Sequence, residues 1–375
     1  MTGRAVGETT GGAVDDTTLT QGDIEYMYER GWTDGLPVVP PTRELTDELL
    51  ATTSRPADEV IGRLDHLKRE VTVELAAINS VMAGCRPEYF PVVLACWDAL
   101  MLERATVGGG WQSTSGPAPL LVVNGPVRQR LGFNSTGGVF GPGFRANATV
   151  ARAIGLIVRN ALGIVPHVFE QATQGIPGRW AMCIAENEEE SPWEPLSVDG
   201  GLPSGVDAVS TTLLRTSEYV DNRHTGDPEK LLADFADTIS RTGSWIFRNA
   251  TAGVVFCPEH AQLLAGAGMT KDDVRSWLVA RCGRSTADLS RVGKSLSEKG
   301  VRGDHGDDGD HPRDGFDPLF AENSPKHLLI AVAGARNAGI SMVVRLFTPW
   351  SGISARVDPP AATRQSVRLD RSNGT

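Results

Sequence analysis

Residues 123–165, VNGPVRQRLGFNSTGGVFGPGFRANATVARAIGLIVRNALGIV, constrain this chain more than any other stretch. The apolar residues 120–123 spell a buried strand, and Asn124-Gly125-Pro126 must break it. Gly132, Gly137, Gly138, Gly141 and Gly143 then lead into a helix. Val150, Ala153, Ile154, Ile157, Ala161 and Leu162 form one apolar face of that helix at 3.6-residue spacing. Asn147 sits where an N-cap belongs. A glycine-rich approach to a helix N-terminus leaves amide groups unpaired at a positive dipole end, which suits a carboxylate or phosphate. The spacing matches neither the dinucleotide fingerprint nor GxxxxGK(S/T), so no nucleotide motif is present. A plain surface connection is the alternative. Against it, Asn124, Asn134, Ser135, Thr136, Arg145 and Asn147 crowd a short span, as in a substrate-binding loop.

Strands and helices of this kind predict an α/β or α+β protein, a mixed sheet flanked by helices with long glycine-rich functional loops. Residues 1–19 are small and polar and read as a disordered tail, as do residues 359–375. One large domain, residues 20–358, is expected between them, divisible into subdomains at 20–200 and 201–358. The Asp-, Gly- and His-rich run 300–317 reads as a flexible acidic loop, because it lacks EF-hand or zinc spacing. A net charge of −10 argues against nucleic acid or an anionic membrane as partner. No apolar run approaches the ~18 residues of a membrane helix. The first residues lack a signal-peptide core, so a cytoplasmic location is expected.

Five cysteines, at 85, 96, 183, 257 and 282, are widely spaced without CxxC, so buried thiols and no metal site are expected. Cys85 stands out among them. It follows the end of a helix over 70–84 and precedes a second, 88–103, with Arg86 beside it and Pro87 at N1. A helix N-terminus and a cation both lower a thiol's pKa. Cys257-Pro258-Glu259-His260, running from strand to helix, is a fainter version; two ordinary Pro-Glu helix starts would look the same. Asp34 lies in the rigid segment GWTDGLPVVPPT, residues 31–42, and serves as acid, base or turn former. Glu186 and Glu188 open an acidic run at a strand end, with Trp193 held between Pro192 and Glu194-Pro195. Solvated acids are the alternative there. His167 reads as a structural histidine at a helix C-terminus.

GWTDGLPVVPPT, INSVMAGCRPEY, LLVVNGP, GPGFRANATVARAI, CIAENEEESPWEPL and HAQLLAGAGMTKDDV occur in order across residues 20–350. In these segments the chain resembles a family of bacterial proteins associated with the UGSC-motif (seleno)protein redox module. The resemblance implies a thiol or selenol redox partner. This chain has no Gly-Ser-Cys triplet, so that partner would be a separate polypeptide. The resemblance also implies a His-Ser pair after the last core strands. Residues 333–341 read AGARNAGIS without a histidine, which points to divergence, for instance into specialised metabolism.

The combined expectation is an enzyme, an oxidoreductase or lyase, acting on a small anionic metabolite. Asn124, Asn134, Ser135, Arg145, Asn147 and Trp193 would bind it, Cys85 would supply thiolate redox or addition chemistry, and Asp34, Glu186 or Glu188 would move protons. Two alternatives remain open: a cofactor-independent lyase, hydrolase or isomerase run by carboxylates, and a non-catalytic partner of a redox protein. The sequence names no cofactor, and it leaves a homo-oligomer open.

Overall fold

The computed structural model describes residues 20–179, 182–244, 251–293, 315–320 and 325–359. The expected tails and most of the acidic loop 300–317 lie outside the described residues. Among the described residues seven strands form the main sheet: β1 Ala118–Asn124, β2 Cys183–Ala185, β3 Ala208–Asp221, β4 Thr251–Phe256, β5 Leu329–Val332, β6 Ile340–Leu346 and β7 Ser354–Arg356. The helices used below are α1 Gln21–Glu29, α2 Arg43–Leu50, α3 Val73–Ala83, α4 Phe90–Leu102, α5 Val127–Leu131, α6 Arg145–Asn160, α7 Pro228–Ile239, α8 Pro258–Gly266 and α9 Lys271–Arg281.

The strand order is β2-β1-β3-β6-β4-β5, with β7 added against β3. The order contains a repeat. β1 runs parallel to β2 and antiparallel to β3, and β4 runs parallel to β5 and antiparallel to β6. The two three-strand units join through the antiparallel β3–β6 pair. One sheet therefore crosses the expected subdomain boundary near residue 200. It is the mixed, helix-flanked α/β sheet read from the sequence.

Side chains alternate across the sheet as strand geometry demands. Leu121 and Val123 pack into the cluster of α3, α4 and α6. Val254, Phe256 and Ile330 pack under α7, α8 and α9. Leu120, Val122, Val255, Leu329 and Val344 fill the other face. The sheet curls around that third cluster until its outer strands meet: the Asn187 amide beyond β2 donates to Val332 O on β5 at 2.7 Å.

Local sequence sets the helix ends. Thr20 and Asp23 form a reciprocal capping box on α1, as Thr270 and Asp273 do on α9. The helix expected over 70–84 starts at Val73, because Arg69–Thr72 pairs as a strand with Val60–Leu64. Thr72 then caps α3, and Gly84 ends it at φ +85°. At α6 the cap is Phe144, with no side-chain bond, and Asn147 is buried in the first turn. Asn147 is thus not the N-cap. His167 lies past α6 at φ +66°, outside any helix.

Gly125 illustrates a close approach. Its φ is +84°, and a Cβ there would lie 2.4 Å from Val206 O. Gly125→Ala is expected to cost about 2–4 kcal/mol, measured by urea denaturation. A cost under about 0.5 kcal/mol would mean that the 206–207 backbone yields freely.

Candidate functional site

Cys85 and Arg145, remote in sequence, do meet. Arg145 donates from Nε and Nη2 to Gly84 O at 3.0 and 2.9 Å, next to Cys85. The chemistry expected of the thiol is not supported there. Cys85 is buried in the α3–α4–α6 core, and burial pushes its thiol up to about 12, only partly offset by Thr149 and Arg145. Pro87 opens a 3₁₀ turn, Pro87–Tyr89, that runs directly into α4 at Phe90. Burial outweighs the nearby cation at Cys85, so the geometry lends no support to the thiolate expected there. Alkylation of Cys85 in the folded protein should therefore have a midpoint far above the ~8.5 of a free thiol. Peptide mass spectrometry across a pH series reads it directly, and fast labelling at pH 7 would contradict the burial.

Asp34 is taken up by an ion pair. Arg152 of α6 grips both carboxylate oxygens at 2.9 and 2.8 Å and donates to Leu36 O and Pro37 O as well. Arg159 and Asn160 hold Gly31 O and Trp32 O. The prolines make residues 31–42 stiff, and these bonds fasten the segment along α6. The proton-transfer role proposed for Asp34 has no supporting geometry.

The acidic run closes the sheet. Glu186 is 1 % exposed and accepts three hydrogen bonds, from Asn124 Nδ2 and Leu196 N at 2.7 Å and from Val332 N at 3.1 Å. Burial raises its pKa, while Lys271 and the three donors oppose the rise. Glu188 accepts from Asn124 Nδ2 at 3.1 Å and Gly125 N at 2.8 Å, and pairs with Arg128. Arg128 also grips Glu189, whose pKa is lowered chiefly by that bond. Asn124 and Glu186 thereby tie β1, β2 and β5 together.

The remaining expected ligand-binding groups bond mainly to backbone. Asn147 Oδ1 accepts from Asn134 N, and its Nδ2 donates to Asn134 O and Cys183 O. Asn134 orders its own turn through Thr136 and Gly137 O. Ser135 O accepts from Gly334 N. Trp193 donates to Met269 O and packs edge-on against Phe256. The glycine-rich segment thus meets the β5–β6 turn, but the side chains named from sequence do not converge on one cavity.

A different group converges at the end of β4. Cys257 occupies the N-cap of α8. Its amide donates to Ser341 Oγ at 2.9 Å; burial, the largest influence, and Glu259 raise the thiol's pKa, and that hydroxyl lowers it. Ser341 Oγ lies 2.7 Å from His260 Nδ1, and His260 Nε2 lies 2.9 Å from Asn222 O. A carbonyl only accepts, so Nε2 carries the proton and Nδ1 accepts from the serine hydroxyl. A chain results: Cys257 amide, Ser341 hydroxyl, His260 imidazole, Asn222 carbonyl, with the Cys257 thiol at its head. Burial lowers the pKa of His260 and raises that of Cys257, so both are neutral at pH 7.

At the His260 end of this chain opens a cleft of about 440 Å³, walled by Asn222, Thr225, Glu259, His260, Asn337 and Gly339, while Cys257 and Ser341 are buried and form no part of its wall. Glu259 Oε2 is buried without a hydrogen-bond partner. Gly339 has to be glycine, because a Cβ would strike Asn222 O at 2.6 Å and His260 Nε2 at 2.8 Å. In the sequence, Cys257-Pro-Glu-His hinted at this group. Its serine, 84 residues downstream on β6, carried no local signal. Among the described residues no cluster of three or more His, Cys, Asp or Glu could hold a metal ion. No helix of the described residues is long and apolar enough to cross a membrane.

No family model, curated protein or solved structure matches the chain.

Proposed function

We propose that the protein is an enzyme acting on a small polar metabolite that enters the cleft over α8. Cys257, buried like Cys85 but set at the head of a chain leading to His260 in the cleft wall, adds through its thiol to an electrophilic carbon of that metabolite. The observation that carries this reading is the hydrogen-bonded chain from Cys257 through Ser341 to His260. Addition forms the S–C bond as the carbon's π bond opens and its electron pair moves to the far atom, which takes a proton from solvent; the thiol proton passes to Ser341 and the serine proton to His260 Nδ1. Asn222 O stabilises the imidazolium so formed. The N-terminal amides of α8 favour the thiolate as it develops, which offsets the burial that keeps the resting thiol protonated. Glu259, whose Oε2 accepts no hydrogen bond among the described residues, accepts a hydrogen bond or a proton from the bound metabolite. The resemblance to the UGSC-associated family points the same way, since it implies thiol or selenol chemistry with a separate redox protein as partner.

A second reading is favoured by Glu259 alone: carboxylate acid–base catalysis, as in a cofactor-independent lyase, hydrolase or isomerase. One experiment separates the two. The protein is incubated with a fractionated small-molecule extract, and depletion of individual species is followed by mass spectrometry. Thiol catalysis predicts that Cys257→Ala and Ser341→Ala each slow depletion at least ~100-fold. Undiminished turnover by Cys257→Ala would end the thiol reading and leave Glu259→Gln as the variant to examine.

A further inference from the structure

Charge is unevenly distributed around the cleft over α8, and that narrows what the metabolite can be. Glu259 and His260 face the cleft from α8, Asn222 and Arg223 from the turn after β3, and Asn337 from the turn before β6. The arginine of each turn is already neutralised. Arg223 donates from Nε and Nη2 to the two oxygens of Asp221 at 2.8 and 2.9 Å, and Arg336, next to Asn337, pairs with Glu190 at 3.0 Å. The acid of the wall is not matched in this way. Glu259 lines the cleft, and its Oε2 is buried without a hydrogen-bond partner among the described residues. A carboxylate oxygen shut off from water and lacking a donor is costly, and a bound N–H group relieves that cost. Asp234 adds to the negative charge, since it accepts from the neutral Asn222 amide at 2.9 Å. Burial depresses the pKa of His260, while Asn222 O, Glu259, Asp234 and Asp221 oppose it, so the carboxylates make the field at this wall negative.

We propose that the metabolite taken by this cleft carries a protonated amino group, which donates to Glu259 while a short hydrocarbon body lies against Leu263 and Ala338. The assignment rests on the reading that the cleft over α8 holds the metabolite, and it adds the sign of the charge. An ammonium brings N–H donors and a positive charge to the same oxygen. A carboxylate would meet like charge, with the arginine of each turn already spent. The anionic metabolite expected from the sequence rested on Arg145 and the start of α6. Arg145 is bonded to Gly84 O and forms no part of this wall.

Butylammonium, 1-butanol and butyrate, similar in size and different in charge, provide the test on the full chain, followed through backbone amide resonances at neutral pH. Butylammonium should bind saturably, with shifts at residues 259–263 and 337–339, and at least ~10-fold more tightly than butanol. Butyrate should produce no shift there. Glu259→Gln, which keeps the shape, should erase the preference for the cation. A failure of the thiol reading shows in turnover by Cys257→Ala and a failure of this one in the titration, so the two are distinguishable. Absence of butylammonium shifts at these residues, butyrate or butanol binding as tightly as the cation, or an undiminished preference in Glu259→Gln would overturn the proposal, and the wild-type series needs no variant to fold.

Discussion

Glu186→Gln is expected to destabilise the protein by about 2–4 kcal/mol although the replacement has the same shape. Every group facing this buried carboxylate is a donor: Asn124 Nδ2, Leu196 N and Val332 N. A glutamine offers one acceptor and one amide nitrogen, so at least one donor would face another donor inside the core. Glu186→Ala is expected to cost more, about 3–5 kcal/mol, by leaving all three without this acceptor. The pH dependence has a definite sign. Burial raises the folded-state pKa above 4.5, so ionising Glu186 is harder in the native protein than in the unfolded chain. Its linkage contribution is therefore greatest below about pH 4.5 and declines as pH rises through the folded pKa. Glu186→Gln should remove that decline. Urea denaturation at several pH values measures both effects, and hydrogen exchange at Asn187 and Val332 should quicken selectively. A neutral substitution with unchanged exchange would show that the outer strands do not rely on this carboxylate.

How much of this was legible in the chain follows from the range of each interaction. Capping boxes at Thr20–Asp23 and Thr270–Asp273 act over three residues, a spacing that is local to the sequence. Val150, Ile154 and Ile157 mark the buried face of α6 by period alone. The chemistry was harder to place, because identical residue types serve binding or structure according to partners that spacing does not reveal. Asp34 looked like an acid until Arg152, 118 residues away, took both its oxygens. Cys85 had the sequence of an activated thiol, yet the helices packed around it supply a desolvation that no local motif encodes. Conversely, Cys257 drew less notice because its hydroxyl partner lies on β6. The curl that joins β2 to β5 was likewise not readable, since it depends on Glu186 meeting a backbone amide 146 residues on.

Ser341→Ala should reveal whether the Cys257 chain is a working device or a passive tie, and it carries the second large effect. The hydroxyl serves the Cys257 amide at 2.9 Å and His260 Nδ1 at 2.7 Å, so its removal leaves two buried polar groups unpaired. At ~1–3 kcal/mol for each, a loss of about 2–6 kcal/mol in unfolding free energy is expected. His260 adds a pH signature. Burial depresses its folded pKa below 6.5 against the opposing pull of Asn222 O, Glu259, Asp234 and Asp221. A histidine held neutral in the native state contributes fully above pH 6.5, and that contribution is lost as pH falls towards the depressed folded value. The wild type should thus weaken below pH 6.5 by a term that His260→Ala lacks. Protonation at Nδ1 also displaces the serine hydroxyl, so the thiol loses its route for proton departure in the same range. Alkylation of Cys257 by iodoacetamide should accordingly rise with pH from near the His260 titration. In Ser341→Ala it should follow only the thiol's own, higher pKa. Stability loss with identical alkylation profiles would assign Ser341 to architecture alone; a shifted profile would make the relay the means by which a buried thiol becomes a nucleophile.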